Sequence, residues 1–162
     1  MSEESWDALR SAIEEAAAHL VEFRTQEGEI LKQDVCKRVE LICSFVSEVE
    51  KYEAERVATV RDRIVQKVKE VCSSCDENRL EQEIVFYVEK LDINEEKVRL
   101  RQHCRYFLET VENEPHPGKK LGFIAQEMGR EINTMGSKAN HVEIQKWVVK
   151  MKDELEKIKE QS

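Results

Sequence analysis

Breakers are scarce in this chain. Its 162 residues include only five glycines and two prolines, too few to punctuate a fold built from many short strands. Aromatic residues make up 6%, so no base-stacking platform is evident. No apolar run approaches the ~20 residues that span a bilayer, which excludes a transmembrane reading. The start, MSEESWDALR, is acidic and polar, unlike a secretory leader. The phosphate loop G-x-x-x-x-G-K-[ST], H-E-x-x-H and G-x-S-x-G are all missing. So is any Glu-x-x-His, which argues against a ferritin-like di-iron bundle. Cys72-Ser73-Ser74-Cys75 is a single C-x-x-C, and a structural zinc needs four ligands. Five cysteines, an odd count, fit a reduced, cytoplasmic protein.

What is present is charge in helical register. Charged residues make up 37% and hydrophobic residues 40%, and the hydrophobic ones recur every three or four positions, which predicts an all-α fold. Ser5 or Asp7 is positioned to cap a first helix whose apolar positions are Leu9, Ile13, Ala16, Leu20 and Phe23. Gly28 alone interrupts the passage to a second run, Leu31 to Val49, and one glycine costs a helix only about 1 kcal/mol. A third run, Val57 to Val71, completes a helical hairpin or stalk over residues 1–75, an oligomerisation or RNA-clamp arm. The polar break at Ser73–Asn78 sets off a helical C-terminal unit over residues 76–162. Helices are expected there at about 79–91, 94–112, 120–139 and 140 onward, with NEPHPG at 113–118 as a turn. Ile144, Val148, Met151, Leu155 and Ile158 are spaced as a short coiled-coil seam.

The most informative stretch is Lys120–Ala139, KLGFIAQEMGREINTMGSKA. At about 100° per residue, Leu121, Ile124, Met128, Ile132, Met135 and Ala139 share an apolar face. Glu127, Glu131, Thr134 and Lys138 form a stripe expected along the opposite edge, with Gln126, Arg130, Asn133 and Ser137 in a second stripe beside it. Carboxylate, guanidinium, amide, hydroxyl and ammonium groups together suit phosphate or metal handling better than mere solvation. Glu127 and Glu131 repel at i,i+4 unless a cation lies between them; a divalent ion, Arg99 or Lys138 would serve. Gly122, Gly129 and Gly136, seven apart, suit close approach of another helix, or less readily of an RNA backbone. In DINEEKVRLRQH at 92–103, Asp92 or Asn94 is placed to cap a helix. Glu95 and Arg99 there read from spacing alone as an ordinary surface pair. His103 lies two turns after Glu96 on the same stripe.

These blocks carry a resemblance. QEMGREINTMGSKA is similar to the Q-E-x-x-R-E-x-N-T-x-x-S-K signature of the YicC/YloC family of bacterial endoribonucleases. DINEEKVRLRQH resembles that family's D-x-x-E-E-x-x-R-L-x-x-H segment, and FRTQEGEILKQD at 23–34 its R-x-x-E-G-x-x-L-x-x-D segment. Gly122 and Gly129 stand where the family often has Asp and Asn. The family's M-T-G-[FY]-G opening and β-containing portion are missing, so the chain is expected to be the C-terminal part of a longer protein.

The resemblance implies cleavage of single-stranded RNA within a homo-oligomer, a hexamer in the family, and a divalent cation, Mn²⁺ or Mg²⁺. It implies metal ligation by Glu96, Glu127 and Glu131, with catalytic roles for His103, Glu127, Glu131 and Arg130. Arg99, Lys119, Lys120 and Lys138 would hold phosphate, and Gln126, Asn133, Thr134 and Ser137 would orient the others. A net charge of −8 argues against a generic nucleic-acid coat but leaves a metal-dependent nuclease open. The rival expectations are a non-catalytic helical assembly module and an RNA-binding adaptor.

Overall fold

The computed structural model describes residues 3–72, 74 and 76–161. Among them are six α-helices and no strand: α1 Glu3–Lys51, α2 Glu53–Val71, α3 Glu77–Lys90, α4 Asn94–Asn113, α5 Gly118–Lys138 and α6 Val142–Gln161. None is long and apolar enough to cross a membrane. The chain divides into two compact units, Met1–Cys36 and Lys37–Ser162. The polar break after residue 72 separates α2 from α3, two helices that pair with each other.

In the first unit, α1 runs through Gly28, where an added Cβ would meet nothing within 4 Å. Ser5 and Asp7 do not begin this helix; both lie inside it, since α1 starts at Glu3. Its periodic residues Trp6, Leu9, Ile13, Leu20, Phe23 and Ile30 are 46–68% exposed.

The second unit is a four-helix bundle made by the last turns of α1 with α4, α5 and α6. Its neighbours are antiparallel, as side-chain contacts show. On the α1–α4 seam, Arg101 donates to Glu50 at 2.7 Å and to Ser47 at 3.2 Å, while Lys97 pairs with Glu50 and with Glu53 at the start of α2. Between α1 and α6, Arg38 reaches Glu154 at 2.9 Å and the Phe45 and Trp147 rings lie 5.4 Å apart. On the α4–α5 seam, Glu96 meets Lys138 at one end and Glu114 meets Lys120 at the other. Short connections between antiparallel helices and apolar seams are the ordinary logic of such bundles.

Helical periodicity dictates the core. Val39, Ile42, Val46 and Val49 of α1 face Leu100, Cys104 and Phe107 of α4, Ile124, Met128, Ile132 and Met135 of α5, and the α6 residues, all nearly sealed from solvent. The expected coiled-coil positions Ile144, Val148, Met151, Leu155 and Ile158 are all buried. They form the inner stripe of α6 within the bundle. Two glycines of α5 admit that helix: a Cβ on Gly136 would stand 3.0 Å from Val148 Cγ1, and one on Gly129 3.2 Å from Leu155 Cδ2. Gly122 has nothing within 4 Å, so the close-approach reading holds for two of the three. Gln145 closes the α5–α6 turn, its Nε2 donating to the carbonyls of Gly136 and Ala139 at 2.5 and 2.6 Å.

The α2–α3 pair is held by Arg61–Glu81 at 2.8 Å. Asp76 caps α3 by accepting from Asn78 N at 3.0 Å. Neither Asp92 nor Asn94 caps α4: Ile93 holds that position, with no side-chain hydrogen bond. Arg56, 3% exposed, reaches back from α2 to donate to the Leu91 carbonyl at 2.8 Å and the Lys138 carbonyl at 3.4 Å.

Gly136→Leu drives a side chain into Val148 and is expected to lower stability by about 1–3 kcal/mol in urea unfolding. Gly122→Ala, with open space around it, is expected to raise stability by about 0.5–1 kcal/mol through helix propensity alone.

Candidate functional site

The signature helix α5 presents two polar stripes with different fates. Gln126, Arg130, Asn133 and Ser137 face solvent, as predicted. The Glu127–Glu131–Thr134–Lys138 stripe does not run along the opposite edge. It flanks the apolar face and turns toward α4, so that Glu131 is only 5% exposed. The reason is angular: Glu131 lies about 20° from Ile124 around a helix of 100° per residue, inside the sector that the bundle covers.

Glu96 of α4 is 4% exposed, with Oε1 2.6 Å from Lys138 Nζ. Its Oε2 is buried with no hydrogen-bond partner. Lys138 Nζ also donates to the Asp92 carbonyl at 3.3 Å. A buried carboxylate demands such a partner, because desolvating an unpaired charge costs several kcal/mol. Lys138 is therefore engaged, and its ammonium is not a free phosphate ligand.

The Glu96–Lys138 and Glu114–Lys120 contacts share one antiparallel register. Two turns forward along α4 from Glu96, and two back along α5 from Lys138, that register sets His103 level with Glu131. His103 is half-buried. The structure thus brings Glu96, His103, Glu131 and Lys138 onto one seam. Among the described residues, no three His, Cys, Asp or Glu side chains gather as a cation-binding group, so Glu96, Glu127 and Glu131 do not form a ready-made set of three ligands.

The remaining candidates lie outside the seam. Arg99 pairs with Glu95, the ordinary surface pair that their spacing predicts. Arg130 is 71% exposed on its side chain and touches Glu127 loosely, at 3.4 Å. Thr134 and Ser137 hydroxyls donate back to the carbonyls of Arg130 and Thr134, at 3.0 and 2.9 Å. Lys119 is exposed. Lys120 bonds Glu114 and sits 4.9 Å above the Tyr106 ring; Glu114, then Tyr106, raise its pKa. Cys75 of the C-x-x-C lies outside the described residues; Cys72 is exposed and unbridged.

Sequence reasoning missed Phe123. It is 59% exposed and falls on the outward stripe with Lys119, Gln126 and Arg130. The signal was its position opposite the apolar face, where an aromatic ring gains nothing from the core. Lys97, buried between Glu50 and Glu53, was also missed, although it falls in step with Leu100 and Cys104 on the α4 core stripe.

Residues 49–162 match the family described as Endoribonuclease YicC-like, C-terminal. The chain belongs to that family. Among curated relatives, the probable endoribonuclease YicC of Clostridioides difficile (strain 630) is 39% identical over 159 residues, covering 96% of this chain and 54% of its own length. The protein of the same name from Haemophilus influenzae (strain ATCC 51907 / DSM 11121 / KW20 / Rd) is 28% identical over 156 residues, 94% of this chain and 53% of its own. The chain spans about half the length of these YicC relatives. Both α4 and α5 fall inside the matched YicC-like region.

Lys138→Met strands the Glu96 carboxylate and is expected to cost about 1–3 kcal/mol in denaturant unfolding. Arg130→Met, at an exposed position, is expected to change stability by less than about 0.5 kcal/mol.

Proposed function

We propose that this YicC-like chain contributes to endoribonucleolytic cleavage of single-stranded RNA, with α5 and the facing part of α4 as its RNA-handling surface. The observation that carries the reading is the pair of buried carboxylates on the α4–α5 seam. Glu96 has an unsatisfied oxygen, and Glu131 is 5% exposed beside the half-buried His103 level. Buried acids without full pairing are costly and concentrate where chemistry is done.

The outward stripe supplies binding. Arg130 and Lys119 take phosphate oxygens, Gln126 and Asn133 offer amides, and Phe123 gives one base a stacking face. Lys138 acts as a positioning group, holding Glu96 in place. His103 is the proton donor or acceptor at the scissile linkage, the general acid–base role that an imidazole side chain most often takes.

The carboxylate oxygens of Glu127 and Glu131 are hard donors of the kind that hold Mg²⁺ or Mn²⁺. Such sites commonly use one or two carboxylates, with substrate phosphates and water completing the shell. A cation there would offset charge on the phosphoryl group during cleavage.

A second reading, self-association through an assembly helix, is favoured by the apolar residues left exposed in Met1–Cys36. On that view α1 builds a homo-oligomer, and the polar face of α5 pairs between subunits.

End-labelled single-stranded RNA incubated with Mn²⁺, Mg²⁺ or EDTA tests the first reading. Cleavage that EDTA abolishes, and that falls about 10²-fold or more in Glu127→Ala and Glu131→Gln at unchanged helicity, is the expected result. Wild-type rates in both variants would remove the carboxylates from the mechanism. Phe123→Ala should weaken RNA binding by about 1–3 kcal/mol in fluorescence anisotropy, with no loss of fold.

A further inference from the structure

Away from α5, the α1–α4 seam holds two thiols from different helices. Lys97, Arg101 and Cys104 follow one another along one stripe of α4. The antiparallel register carried by Lys97–Glu50 and Arg101–Ser47 brings Cys104 to the level of Cys43. There each thiol is the strongest influence on the acidity of the other. Both are unbridged; Cys104 is buried and Cys43 only half-buried.

We propose that Cys43 and Cys104 form a peroxide-reactive modification site, in which Cys43 is the attacking thiol and Cys104 the resolving one. Three features support these roles. Cys43 alone of the pair can be reached by a small polar oxidant. The Arg101 guanidinium, anchored by Glu50 and Ser47, lies close enough to favour a thiolate there. Glu40, one turn away on α1, works weakly against it. The neighbouring Cys104 thiol, ahead of Arg101, draws the Cys43 pKa down to about 7, while Cys43 and burial push the Cys104 thiol up and keep it protonated. An arginine beside a partly exposed thiol, with a second thiol in contact, is the setting in which cysteine oxidation is selective.

The chemistry balances with hydrogen peroxide as oxidant. The Cys43 thiolate attacks one peroxide oxygen, the O–O bond breaks, and hydroxide leaves to be protonated to water. Cys43 is then a sulfenic acid. The Cys104 sulfur attacks the Cys43 sulfur, the S–O bond breaks, and hydroxide departs with the Cys104 proton as a second water. Two thiols and one peroxide become a disulfide and two waters. The product ties α1 to α4, the helix that also carries Glu96 and His103.

The test treats the full chain with one equivalent of hydrogen peroxide at neutral pH. Remaining thiols are then alkylated, and peptides are mapped by mass spectrometry with and without dithiothreitol. The expected result is a Cys43–Cys104 cross-linked peptide pair, reversed by dithiothreitol and absent in Cys43→Ser. In Cys104→Ser, dimedone should trap Cys43 as its sulfenic acid, which distinguishes attacking from resolving roles without requiring the disulfide. The proposal is overturned if Cys43 and Cys104 both remain alkylatable while Cys72 oxidises. It is equally overturned if wild-type Cys43 stops at an over-oxidised acid with Cys104 still a thiol.

Discussion

The bundle depends on the Glu96–Lys138 ion pair. Glu96 sits inside the α4–α5 seam, where a carboxylate without a counter-charge would cost several kcal/mol. Lys138 supplies the counter-charge from the last turn of α5, where a cation also complements the helix dipole. A slip of one turn, about 5.4 Å, would separate the two groups and leave the acid unpaired. The same register joins Glu114 to Lys120 at the far end of the seam. The α5–α6 glycine notches and the Arg38–Glu154 bridge are consistent with one fixed alignment of the other helices. Apolar stripes alone would tolerate sliding, because leucine, isoleucine and methionine positions repeat along each helix. The ionic contacts make the slipped alternatives costly.

Committing Lys138 to Glu96 redistributes the work of the polar face. An ammonium holding a buried carboxylate and a backbone carbonyl has little left for a phosphate. On the proposed RNA-handling reading, binding of a polyanion would fall to groups that the bundle leaves outside: Arg130, Lys119 and the amides of Gln126 and Asn133. Arg56 contributes from the other side. Its hydrogen bonds to the Leu91 and Lys138 carbonyls tie the α2–α3 pair to the end of α5, so the seam is braced where its ion pair lies.

Much of this was legible in the residues. The 3.6-residue period located Leu121, Ile124, Met128, Ile132 and Met135 of α5 and the inner stripe of α6, because both helices carry broad apolar faces. The glycine spacing announced a close helix contact, and Gly129 and Gly136 provide it. Three things were not legible. Glu131 and Lys97 are charged residues inside otherwise apolar sectors, and their burial depends on partners from other helices that no local pattern reveals. The last turns of α1 read as part of a stalk, since periodicity reports that a face is buried but not against what. Ser5, Asp7, Asp92 and Asn94 are good capping types, yet tertiary packing put the helix ends elsewhere.

The acidic character of the chain is no obstacle to contact with RNA once its acids are located. Glu50 and Glu53 are matched by Lys97 and Arg101, Glu154 by Arg38, and Glu96 by Lys138. Glu131 lies on the inturned flank of α5, and the half-exposed Glu127 is matched by Arg130. What remains on the outward stripe is Lys119, Phe123, Gln126, Arg130, Asn133 and Ser137, with no carboxylate among them. Screening limits the reach of exposed charge to about 8–10 Å at physiological salt. A phosphate approaching that stripe therefore meets the local cations more strongly than the distant net charge of −8. The same segregation explains how one helix can serve two tasks: its inner flank fixes the register of the bundle, and its outer face is left free to meet a partner.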